Sequence, residues 1–259
     1  MEPVGARQLS EPAPGYYTSL APFRSLFDQG NPILTYHKLG PRPPKVRLKG
    51  MYMSPALFRR QLTELRMAGW ATGTLSTSTG PITPRRVVIT FDDGYTKVLT
   101  HGLEPLAATG FKAVQFLVAG LLGQHNTWDV PCGEAPEPMM DATQVREWLA
   151  AGHDIGSHTL THPYLTRLPS AQAREEITAS RKKLEDLFGL EVPHFCYPYG
   201  DWNETVRDMV QAAGYQTACT TDPGVNRPGG SLYSLRRFTA RYASRNLKAI
   251  WARLRGALS

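Results

Sequence analysis

The sequence predicts an α/β fold, a single domain built as a distorted or incomplete (β/α)7 barrel. Three observations lead there. Short β-branched and aromatic runs alternate with amphipathic helical stretches, the pattern of a parallel sheet with helices outside it. Polar residues recur at the C-terminal ends of those runs (His37, Asp92, Asp93, His158, Tyr199), where a barrel gathers its functional groups. The length of 259 residues is ordinary for one barrel, and about seven such units are legible.

Residues 1–30, rich in Pro, Gly and charge, read as a lead-in. Pro32 to His37 is the first predicted strand. Ser54-Pro55 starts a helix, with Ser as N-cap, Pro at the first helical position and Gly69 as stop. Thr72 to Pro84 reads as a polar loop. Val87 to Phe91 is a strand delivering Asp92 and Asp93. A helix from Leu103 ends at Gly110, and a strand covers Ala113 to Val118. Gly120 to Met140, containing Trp128-Asp129, is a long irregular insertion of the kind that forms functional walls. Asp141 caps a helix stopped by Gly152, and Leu168-Pro169-Ser170 opens a long helix to Phe188. His194 to Tyr197, Tyr215 to Thr220 and Leu232 to Phe238 are strands, with a helix from Glu204 to Ala213 between the first two. Ser244 to Leu258 is predicted to be a basic amphipathic helix.

The net charge of +7 is lopsided. From Pro223 onward there is no acidic residue, while Arg227, Arg236, Arg237, Arg241, Arg245, Lys248, Arg253 and Arg255 accumulate. Such a face either is simply solvated or meets an anionic surface, and the terminal helix either packs on the barrel or lies at a membrane. No recognised nucleic-acid-binding module accompanies the charge, so nucleic acid is not an expected partner. No apolar run of about 18 residues predicts a membrane span. The N-terminus lacks the apolar core of a secretory leader, which predicts a cytoplasmic protein, possible membrane contact being peripheral. Cys132, Cys196 and Cys219 have no metal-type spacing, and the latter two read as buried thiols.

The chemistry concentrates in Thr90-Phe91-Asp92-Asp93-Gly94-Tyr95 and Ser157-His158-Thr159-Leu160-Thr161-His162-Pro163. Two adjacent carboxylates repel unless their roles divide, one toward a cation and the other toward a proton. Two histidines four apart supply imidazoles, and one Asp with two His leaves positions open for water and substrate.

With Tyr197-Pro198-Tyr199-Gly200 added, residues from about Pro32 to Phe238 resemble the polysaccharide deacetylases, carbohydrate esterase family 4 with its NodB-like domain. The resemblance implies a domain over 31–259. It also implies a metal-dependent hydrolase that removes acetyl groups, most often N-acetyl, from a hexosamine-containing glycan or glycoconjugate. Asp93, His158 and His162 would hold the metal, usually zinc and in some members cobalt, nickel or iron. Asp92 would be the general base. Pro198, Tyr199 and Gly200 would form the acetate pocket, with the Tyr199 backbone N–H facing the oxyanion.

Two positions depart from the common pattern. Cys196-Tyr197 stands where an Arg precedes the Pro-Tyr-Gly step, and no histidine follows His194 to serve as a late general acid. Members resembling the poly-N-acetylglucosamine deacetylases carry an early Tyr-His instead. Tyr36-His37 matches it, making His37 the expected acid. Tyr95, Trp128, Tyr164 and Trp202 either line a sugar cleft or pack inside. His101, His125, His153 and His194 read as surface or structural. The competing expectation is a metal-dependent hydrolase of a non-sugar amide or cyclic imide on the same fold. A non-catalytic glycan-binding module would be marked by loss of Asp92 or a ligand, and all are present.

Overall fold

The computed structural model describes residues 24–44 and 46–239. A short helix α1 (Arg24–Phe27) leads into β1 (Ile33–Tyr36), followed by a small two-stranded sheet of β2 (Lys38–Leu39) and β3 (Tyr52–Met53). Then come α2 (Pro55–Met67), β4 (Ala71–Thr72), β5 (Arg86–Phe91), α3 (Thr96–Thr109), β6 (Ala113–Leu117), α4 (Ala142–Ala150) and β7 (Asp154–Ser157). The described chain closes with α5 (Ser170–Phe188), β8 (His194–Cys196), α6 (Glu204–Ala212), β9 (Thr217–Cys219) and β10 (Phe238–Thr239).

The main sheet is parallel, in the order β10-β1-β5-β6-β7-β8-β9, with β4 beside β5. It curls until one segment touches both edges, because Leu235 bridges Cys219 while Phe238 pairs with Leu34. The predicted distorted barrel is the observed fold. Within it, the strand expected from Leu232 shrinks to Phe238–Thr239, since this segment changes partners midway.

Alternation along the strands builds two cores. Ile33, Val88, Val114, Phe116, Cys196, Cys219 and Leu235 pack inside the curl, whereas Leu34, Tyr36, Ile89 and Phe91 face the helices. Both cysteines are free and buried there, as their apolar runs predict. Helix starts follow their caps. Ser54 Oγ accepts from the Leu57 N–H, Asp141 and Gln144 form a reciprocal capping box, and Asn203 accepts from the Val206 N–H. Helix α3 begins at Thr96 rather than Leu103 and carries Pro105 inside it. An internal proline ordinarily marks a helix boundary, and here the helix runs through it.

Gly156 shows how tightly the inner core is fitted. Its register partner is Phe116, and a Cβ at Gly156 would lie 2.5 Å from that buried ring and 2.9 Å from the His194 carbonyl. Gly156→Ala is therefore expected to cost about 1–3 kcal/mol through overpacking, read as a lower urea midpoint with an unchanged m-value.

Residues 1–23 and 240–259, including most of the expected lead-in and the terminal basic helix, lie outside the described residues. Among those described, no helix is long and apolar enough to cross a membrane.

Candidate active site

Register explains why the predicted residues meet. Tyr36 pairs with Phe91 in adjacent parallel strands, so His37 and Asp92 leave the sheet side by side. His37 Nε2 lies 3.6 Å from Asp92 Oδ2, and His37 is the more exposed of the two. Thr35, on the same inner face, donates to Asp92 Oδ2 at 3.5 Å.

Asp92 and Asp93 divide as the repulsion argument requires. The Asp92 carboxylate is gripped by Arg237, whose two terminal nitrogens each donate to one oxygen at 2.7 Å. That guanidinium also donates to the Thr220 carbonyl and to Thr90 Oγ1, and it is fully buried. Arg237 was read as part of a solvated or membrane-facing basic stretch, and the structure corrects this. Burial alone would raise the Asp92 carboxyl, but the Arg237 charge and its hydrogen bonds hold it below the usual carboxylate range. No Arg precedes Pro198, and the guanidinium beside Asp92 comes instead from Arg237. No spacing rule pointed to it, since it lies 145 residues from Asp92.

Asp93 turns the other way. Its Oδ1 lies 3.4 Å from His158 Nε2 and 3.3 Å from His162 Nε2. Its Oδ2 is buried without a hydrogen-bond partner among the described residues. Burial would raise this carboxyl too, but the two imidazoles hold it well below the ordinary range. The ligating atoms of Asp93, His158 and His162 lie within 4.8 Å of one another. His158 Nδ1 sits 2.7 Å from the Cys196 carbonyl, an arrangement that leaves Nε2 as the acceptor when Nδ1 carries the proton. A buried carboxylate with an unused oxygen, facing two imidazole nitrogens, fits a divalent cation. Asp92, His158 and Cys196 also cluster, but the Arg237 guanidinium already occupies that space, 3.1 Å from Cys196 Sγ.

Backbone strain gathers at the same place. Asp93, Thr159, His162 and Tyr199 all take positive φ (76°, 68°, 67° and 60°). The loop between the histidines is pinned by Glu176 of α5, whose carboxylate accepts from the Leu160 and Thr161 N–H groups at 2.9 Å. The His162 N–H donates to Thr159 Oγ1 at 3.0 Å.

After β8, Pro198–Gly200 forms a tight turn. Gly200 takes φ 71°, and a Cβ there would lie 2.0 Å from Thr221 Oγ1, so the motif glycine has no room for a side chain. The Tyr199 ring is partly exposed, meets His162 edge-on at 4.5 Å, and stacks on Tyr164 at 3.8 Å. Trp128 stacks on the His162 ring. Tyr95, expected on a substrate surface, is fully buried between Lys38 and Asp93, so its ring offers no face to a ligand. Trp202 is half-buried against Tyr197. His153 and His194 are structural. The first accepts from the Ala113 N–H and the second contacts Thr217 Oγ1, and burial pushes both down to about 4.

The family model for polysaccharide deacetylases matches residues 79–218, more than half of the chain. The chain is 30% identical over 151 residues to YxkH of Bacillus subtilis, covering 58% of itself and 50% of that protein. It is 27% identical over 149 residues to the peptidoglycan-N-acetylglucosamine deacetylase PgdA of Listeria monocytogenes, covering 57% of itself and 28% of that protein. The chain thus spans half or less of the length of these curated relatives. Among solved structures, IcaB from Ammonifex degensii superposes with a TM-score of 0.72 at 24% identity, covering 86% of this chain and 97% of that one. The Streptococcus pyogenes deacetylase PplD, in complex with acetate, gives 0.70 at 22% identity, covering 85% and 97%. These two likenesses concern the fold. The sequence match over the strands that carry Asp92, Asp93, His158 and His162 goes further: this chain belongs to the polysaccharide deacetylase family.

Proposed function

We propose that the protein is a metal-dependent deacetylase acting on an N-acetylhexosamine-containing glycan or glycoconjugate. The observation that carries this reading is the split between the adjacent aspartates, Asp92 on a guanidinium and Asp93 on two imidazoles. A divalent ion, zinc by preference, held by Asp93, His158 and His162 would polarise the acetyl carbonyl and acidify a water. Asp92, kept ionised by Arg237, accepts the proton of the attacking water. His37, 3.6 Å from Asp92 and partly exposed, donates a proton to the departing nitrogen. The Tyr199 backbone N–H, with Pro198 and Gly200 shaping the turn, faces the carbonyl oxygen as negative charge develops there.

Two further features support a sugar substrate. The partly exposed Tyr164–Tyr199 stack borders His162 and offers aromatic surface of the kind that packs on pyranose rings. Relatives of this chain include chitooligosaccharide deacetylases and a peptidoglycan-N-acetylglucosamine deacetylase.

The deciding measurement is acetate release from chitooligosaccharides, poly-N-acetylglucosamine fragments, peptidoglycan fragments and nucleotide- or lipid-linked N-acetylhexosamines. It is made on metal-stripped protein and after Zn²⁺ is restored. Release is expected only with metal and is expected to vanish in Asp93→Ala. Hydrolysis of a small amide or cyclic imide, with no acetate from any glycan, would replace the sugar reading. Release unaffected by stripping would remove the metal from it.

A further inference from the structure

The two histidines facing Asp93 are held in different ways. His158 Nδ1 contacts a backbone carbonyl, the usual means of fixing a ligand imidazole. His162 Nδ1 is buried and has no hydrogen-bond partner among the described residues. Its ring is set by aromatic surfaces instead. Trp128 stacks on it with centroids 4.2 Å apart and planes 21° apart, while Tyr199 meets it edge-on. The orienting duty that a hydrogen bond performs for His158 falls on Trp128 for His162.

Trp128 belongs to the Gly120–Met140 insertion, which contains no β-strand or α-helix, so its position needs an anchor. The neighbouring residue supplies one. Asp129 is 6% exposed, accepts from Asn126 Nδ2 at 3.1 Å and lies 3.6 Å from Lys38 Nζ. Lys38 is fully buried, with its ammonium 4.7 Å from the Tyr95 ring centre and 5.1 Å from that of Tyr52. A buried ammonium without a hydrogen bond is costly, and Asp129 is the carboxylate that compensates it. The chain therefore sinks a lysine directly after His37 to hold a loop whose neighbouring tryptophan covers His162.

We propose that Trp128 is a positioning residue for His162, and that Lys38 acts through Asp129 to keep Trp128 in place. Affinity for a divalent cation then depends on two residues that cannot themselves ligate it. This rests on the metal-centre reading above.

The test is Zn²⁺ affinity of the full chain by chelator competition, together with the visible absorption spectrum of the Co²⁺-loaded protein. Trp128→Leu is expected to weaken Zn²⁺ binding about tenfold or more, the usual cost of removing an orienting partner, and Trp128→Phe to recover most of it. Lys38→Met combined with Asp129→Asn strands no charge and is expected to weaken binding several-fold. Wild-type affinity in a folded Trp128→Leu overturns the role of Trp128, and wild-type affinity in the double variant overturns that of Lys38. Should Trp128→Leu not fold, Trp128→Met takes its place: weakened Zn²⁺ binding supports the proposal, and wild-type affinity with an unchanged Co²⁺ band overturns it. A wild-type chain that binds no Zn²⁺ defeats the metal-centre reading itself. That result is distinct from tight wild-type binding with unaltered variants, which defeats only the positioning.

Discussion

Replacing Asp92 with asparagine is expected to lower kcat/KM for acetate release by about 10²–10⁴-fold while leaving Zn²⁺ affinity near that of the wild type. The substitution keeps the shape of the side chain and removes its capacity to take a proton. Asp93, His158 and His162 are untouched, so metal binding and hydrolysis should separate cleanly. Because Arg237 holds the Asp92 carboxyl below its ordinary range, the base is ionised well into mild acid. The acid limb of the wild-type pH profile should accordingly fall below the usual carboxylate range. A folded Asp92→Asn protein retaining more than about a tenth of the activity would assign the base elsewhere, since general-base catalysis is worth more than that.

Arg237→Met should be the most destabilising single change at the site. It leaves Asp92 buried at 2% exposure without its cation, a situation that costs about 3–5 kcal/mol. The pH dependence identifies the cause. In the wild type the depressed carboxyl contributes stability above the unfolded-state pKa, near 4, and that contribution is lost as pH falls through the folded value. In Arg237→Met, burial without a counter-charge raises the carboxyl, so Asp92 can become neutral by protonation in mild acid. The deficit against wild type, measured by urea unfolding, should therefore be largest at neutral pH and shrink on acidification. A deficit that is flat with pH would trace to lost packing against Phe116, over which the guanidinium lies at 5.8 Å. Activity should fall with stability at neutral pH, because the same raised pKa disarms the base.

Much of the site was legible because its chemistry is packed into short runs. Asp92 and Asp93 are consecutive and end a strand whose apolar content announces it, and His158 and His162 are four apart within one short run. Tyr36-His37 was legible by resemblance, and the parallel register then placed it beside Asp92. What stayed hidden depends on partners distant in the chain. Arg237 sits among other basic residues, and only closure of the sheet reveals that it points inward. Lys38 was passed over beside His37, since a lysine ordinarily reads as solvated. Tyr95 stays open between a cleft and the interior in the sequence, because an aromatic after a motif glycine suits either, and its burial is set by the insertion that pairs with it through Met139. The two-residue strands β2, β3 and β4 are too short for periodicity to register.

The closing segment of the sheet has a consequence for how this protein is cut into working pieces. Residues 79–218, the part the family model matches, contain Asp92, Asp93, His158, His162 and the Pro198–Gly200 turn. His37, 3.6 Å from the Asp92 carboxylate and before that span, and Arg237, bonded to it and after the span, both fall outside. An excised fragment with those borders would own a full set of candidate metal ligands and yet expose an aspartate with no counter-charge along an unclosed barrel seam. During synthesis the same order applies. The candidate metal ligands emerge well before residue 237, so the Asp92 carboxylate meets its guanidinium only when the last described strand has slotted into the sheet. If Asp92 is the base proposed above, catalytic competence would wait for the end of folding, and truncated products would keep the candidate metal ligands without a tuned base.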